Sequence, residues 1–236
     1  MNLVLLKEKD FIDKNCVRIE KRRFKHLILI NKVKKNDKLI CGILNGKLGI
    51  GRVKKISDSF IDMDIVLDID PPKPLDLILV LALPRPKMLK RIIENTTSLG
   101  VKKIYLINSW RVEKSFWQSS LLENDNLYKY MEAGLELSKD TIMPKIYKKR
   151  FFTKFVNEEL YDISKNTLRL TADPKAYKRC PLNINKPVTL IVGPEGGFIS
   201  IEIQTLEKQG FNTYNLGSRI LKVETAVTYL ISRLYS

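Results

Sequence analysis

Two short loops near the end of the chain hold the residue types best suited to chemistry. The apolar run Leu190-Ile191-Val192 stops at Gly193-Pro194-Glu195-Gly196-Gly197, and Leu216-Gly217-Ser218-Arg219-Ile220-Leu221 follows the next strand-like segment. Glycine at the end of a buried strand permits positive φ and lets main-chain N–H groups approach a ligand closely, while Pro194 stiffens the turn. In open α/β sheets, ligands sit beyond the carboxyl ends of the strands. Two such loops from consecutive strands, lying side by side, would make a pocket built largely from backbone. That suits a ligand with a nucleobase and hydroxyls better than a bare phosphate. Either loop alone reads as an ordinary strand-to-helix turn; the pair favours a site. Ser200 is expected to cap the helix that follows, with Glu202 in its positive first turn, Gly210 to end it, and Phe211 to close the cap.

Other chemistries find little support. The segment 42–48, GILNGKL, is one residue short of a phosphate loop and has no Ser or Thr after its lysine. No G-x-G-x-x-G occurs. The single histidine, His26, lies in a basic stretch beside LILI, so it reads as structural or RNA-facing and supports neither a His triad nor a His-based metal site. Cys16, Cys41 and Cys180 are odd in number and lack C-x-x-C spacing, which argues against disulfides and zinc and for a reducing cytoplasm. No metal is expected.

The elements that must position these loops alternate. Residues 1–67 read as short β segments with an Asn-Gly hairpin at 44–49, and the prolines of 68–76 mark a linker. LILVLAL, 77–83, is apolar at every position, as a parallel strand covered on both faces would be. A helix over 87–100 presents Leu89, Ile92, Ile93, Thr96 and Leu99, with Gly100 as its cap. Further strands are expected at 102–108, 168–172, 188–192 and 212–216, and helices at 123–140, 200–209 and 223–235. This implies a small basic β domain, 1–70, followed by an α/β domain with a mostly parallel sheet, 71–236.

The 236 residues carry 42 Lys+Arg against 26 Asp+Glu, a net charge of +16, which predicts attraction to polyanions. The excess is clustered. Residues 18–38 hold nine Lys/Arg and two acids, and 145–154 hold five Lys/Arg and no acid, with Tyr147, Phe151 and Phe152 interleaved. Arg18, Arg22, Arg23 and Lys25 are the expected phosphate contacts of the first cluster. The longest apolar stretch, 75–84, is too short to span a bilayer, and the amino terminus has no secretion signal, so no membrane association is expected.

IVGPEGGF followed by LGSRILKVETA resembles the SPOUT methyltransferases, and more narrowly the ribosomal RNA small-subunit methyltransferase E family, uracil-N3 methyltransferases of 16S rRNA. Residues 81–117 are similar to the family's middle segment and 22–39 to its amino-terminal RNA-binding domain, so the resemblance spans nearly the whole chain. It implies a PUA-like β-barrel, then a SPOUT-type α/β domain with a carboxy-terminal trefoil knot. It also implies S-adenosyl-L-methionine as cofactor, 16S rRNA or the small ribosomal subunit as partner, and a homodimer. By motif, the cofactor would be held by Leu170, Thr171 and Ala172, by Gly193, Glu195 and Gly196, and by Leu216, Gly217, Ile220 and Leu221. The chain departs from the family at Ser218, where proline is frequent, at Lys222, where arginine is, and at Leu137-Ser138-Lys139-Asp140, where many members carry Gln-Ser/Cys-Gly-Arg.

Such a reaction needs a cation beside the ring's developing negative charge, and Arg219 is the expected group; its alternative role is a salt bridge with Glu224 or an RNA phosphate. Glu195 and Glu224 are the nearby carboxylates, each with an alternative structural role. The Watson–Crick edge must be exposed, so the target is unpaired or flipped out. Arg111 is expected to contact RNA or cofactor, and Trp110, Phe116 and Trp117 to stack on bases or to pack as core. The competing functions are a non-catalytic RNA-binding assembly factor and a SPOUT enzyme acting on tRNA or on a ribose hydroxyl.

Overall fold

The computed structural model describes residues 2–184 and 186–235. The chain divides into two compact units: one runs up to Lys73 and takes in Met131–Met143, and the other covers Pro74–Tyr130 and continues from Pro144.

The first unit contains β1 (Val4–Leu6), β2 (Phe11–Asp13), β3 (Cys16–Glu20), α1 (Lys21–Leu29), β4 (Lys38–Ile43), β5 (Leu48–Ile56) and β6 (Phe60–Ile69). The strands form one sheet in the order β1-β4-β5-β6-β3-β2, parallel only between β1 and β4. The expected hairpin joins β4 to β5, with Asn45 at φ 60° in its turn. Val17, Ile19, Ile61, Met63 and Leu27 share the core. α1 was not anticipated: it lies inside the basic stretch, and it turns Phe24, Leu27 and Ile28 to the core while Arg22 and Lys25 stay exposed. Two carboxylates of the 131–143 segment are drawn into this unit, Glu132 by Lys7 at 2.7 Å and Glu136 by Arg22 at 3.0 Å.

The second unit contains β7 (Leu77–Ala82), α2 (Pro86–Ser98), β8 (Lys103–Ile107), the first part of α3 (Asn124–Ser138), β9 (Lys145–Lys149), α4 (Phe152–Glu158), α5 (Leu160–Ser164), β10 (Leu168–Ala172), β11 (Val188–Val192), α6 (Ser200–Lys208), β12 (Asn212–Tyr214) and α7 (Val223–Tyr235). Its sheet runs β12-β10-β11-β7-β8-β9 and is parallel throughout. Buried apolar side chains fill the central strands, Leu79, Leu81, Leu190 and Ile191 among them, as a sheet covered on both faces requires. α2 buries Leu89, Ile92 and Ile93 and packs against α7, which buries Val227, Leu230 and Ile231. Gly100, at φ 89°, follows α2 as its cap. The basic segment 145–149 is an edge strand, with Lys145 and Lys148 exposed, Lys149 paired with Glu159, and Tyr147 stacked on Tyr105 at 4.6 Å; lysine-rich edges resist pairing with other chains.

Two expectations are corrected. Ser200 is the first residue of α6 and not its cap: Ile199 holds that position, and the Glu202 carboxylate accepts from Ile199 N at 3.0 Å. β11 and β12 are consecutive in sequence but not neighbours, because β10 pairs between them. Gly210 (φ 80°) and buried Phe211 close α6 as expected.

Candidate cofactor site

The registers set three strand ends level. Ala172 at the end of β10 pairs with Val192 of β11 on one side and with Tyr214 of β12 on the other. All three strands point the same way, so the loops that follow them, beginning at Asp173, Gly193 and Asn215, gather at one edge of the sheet. The insertion of β10 thus brings a third loop between the two glycine loops. A cavity of about 100 Å³ opens there, smaller than the ~300–1,000 Å³ of pockets that enclose a drug-sized ligand.

Main-chain geometry shapes the walls. Gly197, at φ 71°, closes a turn in which its N–H donates to the Pro194 carbonyl at 2.8 Å. A Cβ at Gly193 would lie 3.2 Å from the Phe198 ring, so the missing side chain is what lets Phe198 fold under the loop. Gly217 sits at φ 117°, outside the range side-chain-bearing residues adopt readily. Asn215 fixes this turn: its Oδ1 accepts from Gly217 N at 2.9 Å and its Nδ2 donates to the Ala176 carbonyl at 2.6 Å. Its backbone also bonds to Lys178 and Cys180, at 2.8 and 2.9 Å, which ties the 176–180 segment to the end of β12.

Side chains join these loops to others. Glu195 Oε1 accepts from Arg85 N at 3.0 Å, at the amino-terminal cap of α2, where the helix dipole favours a negative charge. The Arg111 guanidinium donates to the Gly196 carbonyl. Buried Glu202 spans two loops, accepting from Trp110 N at 2.8 Å as well as from Ile199 N.

Of the residues expected to hold the cofactor, Ala172, Gly193, Glu195, Leu216, Gly217, Ile220 and Leu221 line the cavity, and Arg219, exposed, lines it with them. Leu170 and Thr171 do not line it; they are buried within β10, and Thr171 Oγ1 has no hydrogen-bond partner among the described residues. Gly196 is outside the lining too, its carbonyl held by Arg111. Tyr214 and Asn215 line the site without having been foreseen, and Asp173, in the 170–174 segment that the resemblance points to, lines it too. An asparagine directly before Leu-Gly is the sequence signal of the Asx turn seen at 215. Arg219 and Glu224 form no salt bridge among the described residues.

A second cleft, about 820 Å³, adjoins the first and shares Glu195, Ile220, Leu221 and Val223 with it. Its other walls include Arg85, Glu113, Phe116, Lys222 and Glu224. The Glu224 carboxylate makes no hydrogen bond or ion pair among the described residues.

The cations expected to meet RNA divide by what they already hold. Arg23 is committed: its guanidinium pairs with Asp10 through two 2.7 Å bonds and also donates to the Leu5 carbonyl, with only 12% of the side chain exposed. A phosphate contact by Arg23, as expected from the sequence, would compete with these bonds. Arg18 forms a two-pronged pair with Asp62 at 2.8 and 2.9 Å, and Arg22 bonds Glu136, though both remain partly open to solvent. Lys25 is exposed and unpaired by any carboxylate among the described residues. Trp117 is buried, its Nε1 donating to Asn108 Oδ1 at 3.0 Å, whereas Trp110 is exposed.

Burial pushes the Cys41 thiol up to about 12 and raises those of Cys180 and Cys16, and no group of three or more metal-binding side chains occurs among the described residues. No described helix is long and apolar enough to cross a membrane.

Comparison with known proteins places these features in context. The RNA methyltransferase domain family matches residues 71–235. The chain is 30% identical to ribosomal RNA small subunit methyltransferase E 1 of Borreliella burgdorferi, over 96% of this chain and 94% of that protein. It is 24% identical to ribosomal RNA small subunit methyltransferase E of Treponema pallidum, over 96% and 87%. Its fold is similar to the crystal structure of a ribosomal RNA small subunit methyltransferase E from Neisseria gonorrhoeae bound to S-adenosyl methionine, with a TM-score of 0.76 and 19% identity, over 98% of this chain and 95% of that one.

Proposed function

The chain belongs to the ribosomal RNA small-subunit methyltransferase E family, and from that premise we propose that it methylates N3 of a uridine in 16S rRNA with S-adenosylmethionine as donor. The observation that carries this reading is the cavity at the level ends of β10, β11 and β12. Its walls suit an adenosyl group: Val192, Leu221 and Val223 offer apolar contact, Asp173 and Asn215 lie on the polar side, and the Gly193–Gly197 and Leu216–Leu221 segments present main chain.

The cofactor supplies a methyl group already activated on a sulfonium, so the chain's task is chiefly to align the acceptor. The adjoining cleft, which shares a wall with the cavity, is the place for the target base. Uracil N3 carries a proton that must leave, and negative charge grows on the ring as it does. Arg219, exposed in the cavity lining, stabilises that charge. Glu224, facing the cleft with its carboxylate unengaged, accepts the proton, whereas Glu195 already holds the amino-terminal cap of α2.

The trefoil knot, the PUA-like barrel and a homodimer belong to the same proposal, as does a cytoplasmic setting. The knot is supported by the course of the chain after β10: segment 176–184 bonds to Asn215 and then, through Asn183 and Ile184, to the Arg233 and Leu234 carbonyls of α7. The test is nucleoside mass spectrometry on rRNA from a strain lacking the gene, before and after treatment with the purified protein and donor. Appearance of N3-methyluridine is expected. A ribose-methylated product, or labelling of tRNA alone, would overturn the substrate assignment, and absence of donor binding by calorimetry would overturn the enzyme itself.

A further inference from the structure

The second unit carries another cleft that shares no lining residue with the cofactor cavity. It is about 1,050 Å³ and lies between the 108–114 loop, the start of α4 and the start of α6. Two aromatic rings stand on it largely uncovered, Trp110 at 80% exposure and Phe151 at 74%. Such exposure costs free energy in water unless something covers the rings in the working state.

The charge around the rings selects the occupant. Lys114, Arg150 and Lys154 line the cleft, and neither lysine forms an ion pair among the described residues. The Arg150 guanidinium lies 5.5 Å from the Trp117 ring and donates to the Trp117 carbonyl at 3.2 Å, which holds it beside the cleft. The one carboxylate in the lining, Glu202, is buried and spends both oxygens on the backbone N–H groups of Trp110 and Ile199. Ser109 Oγ, also in the lining, is buried with no hydrogen-bond partner among the described residues. Open aromatic faces beside unpaired cations form the stacking platform and electrostatic track of single-strand binding.

We propose that this cleft binds an unpaired RNA segment, with bases stacked on Trp110 and Phe151 and phosphates met by Lys114, Arg150 and Lys154. The inference rests on the proposed rRNA methylation for its ligand class and adds a site to it. The site is also linked to the cofactor loop by one residue step. Trp110 faces the cleft, while the next residue, Arg111, grips the Gly196 carbonyl. RNA seated on Trp110 therefore steadies the segment that holds the Gly193–Gly197 loop.

The test uses the full-length protein and a fluorescein-labelled oligouridine read by anisotropy. Phe151→Ala and Trp110→Ala each remove a solvent-facing ring, and the Trp110 N–H bond to Glu202 is backbone and survives the change. Each is expected to weaken binding about 5- to 150-fold, the range of one lost base stack. The double variant Lys114→Gln/Lys154→Gln should reduce the log–log salt slope by about 1.4. In wild type, emission from Trp110 should be quenched on binding, since Trp117 is buried. Unchanged affinity in both ring variants would overturn the proposal, as would a change of oligomeric state in sedimentation, which would make the face a protein interface. Donor calorimetry run in parallel separates this from the function above. Loss of oligouridine affinity with donor binding intact supports the cleft, and a protein that binds oligouridine here but never binds donor sinks the enzyme reading alone.

Discussion

Replacing Glu195 by Gln separates a structural carboxylate from a catalytic one. The Glu195 side chain accepts from Arg85 N at 3.0 Å at the amino-terminal cap of α2. Glutamine keeps an acceptor there but removes the charge. The loss of the favourable helix-dipole term is about 0.3–1 kcal/mol. Exchanging a charge-assisted for a neutral hydrogen bond costs roughly another 1 kcal/mol. The variant should thus lose about 1–2 kcal/mol in urea unfolding, and because the loop also lines the cofactor cavity, donor affinity by calorimetry should fall by less than about tenfold, the equivalent of 1.4 kcal/mol. Single-turnover methyl transfer at saturating donor should stay within about tenfold of wild type. Glu224→Gln should show the reverse: stability within about 0.5 kcal/mol, and a chemical step slowed roughly 10²–10⁴-fold, as expected on losing a general base. If Glu195→Gln abolished the chemical step with donor affinity intact, while Glu224→Gln left it untouched, the assignment of the two carboxylates would be reversed.

Gly217→Ala forces a side chain into φ 117°, at a cost of about 1–3 kcal/mol; donor affinity should fall at least several-fold while the far-ultraviolet dichroism stays native. Arg23→Ala leaves Asp10 buried with the Lys7 N–H but without its guanidinium partner and should cost about 3–5 kcal/mol in urea unfolding, whereas Lys25→Ala should change stability by less than about 0.5 kcal/mol and weaken RNA binding. Burial raises the Glu136 carboxyl above its ordinary 4.5, outweighing the opposing pull of Arg22. Above pH 4.5 the unfolded chain releases this proton while the native state keeps it, so this group's contribution declines with rising pH until the raised value is passed. Unfolding measured across that window should fall less steeply for Glu136→Gln than for wild type.

The sequence made the second unit legible where its periods were long and its signals physical. The all-apolar run at 77–83, the 87–100 helix with its glycine cap and the strands at 168–172 and 188–192 match the structure closely, because buried parallel strands and amphipathic helices leave strong hydrophobic patterns. α1 escaped notice for the opposite reason: it is nine residues long, its cap position Glu20 makes no side-chain capping bond, and it runs into the strand-like LILI. β9 was hidden by its own edge position, since lysines on an exposed edge erase the alternation that marks a strand. Strand order was not legible at all. That β10 lies between β11 and β12 is a long-range pairing fact with no local signature, and it decides which residues reach the cavity.

The fate of the basic residues follows from side-chain shape. The net charge of +16 suggested that arginines and lysines of the 18–38 stretch would act alike, yet all three arginines named there hold carboxylates, Arg18 with Asp62, Arg22 with Glu136 and Arg23 with Asp10. A planar guanidinium meets a carboxylate through two parallel bonds and is less strongly hydrated than an ammonium, so it is the cation that folding draws inward. Lysine keeps its hydration, reaches farther into solvent and gains little from a surface pair. Phosphate attraction in that stretch therefore rests more on lysines such as Lys25 than on its arginines. The same division recurs in the second unit, where Arg111 and Arg150 are tied to carbonyls while Lys114 and Lys154 stand unpaired by any described carboxylate. A charge count measures the field that attracts RNA, and the hydrogen-bond geometry identifies which side chains remain free to answer it.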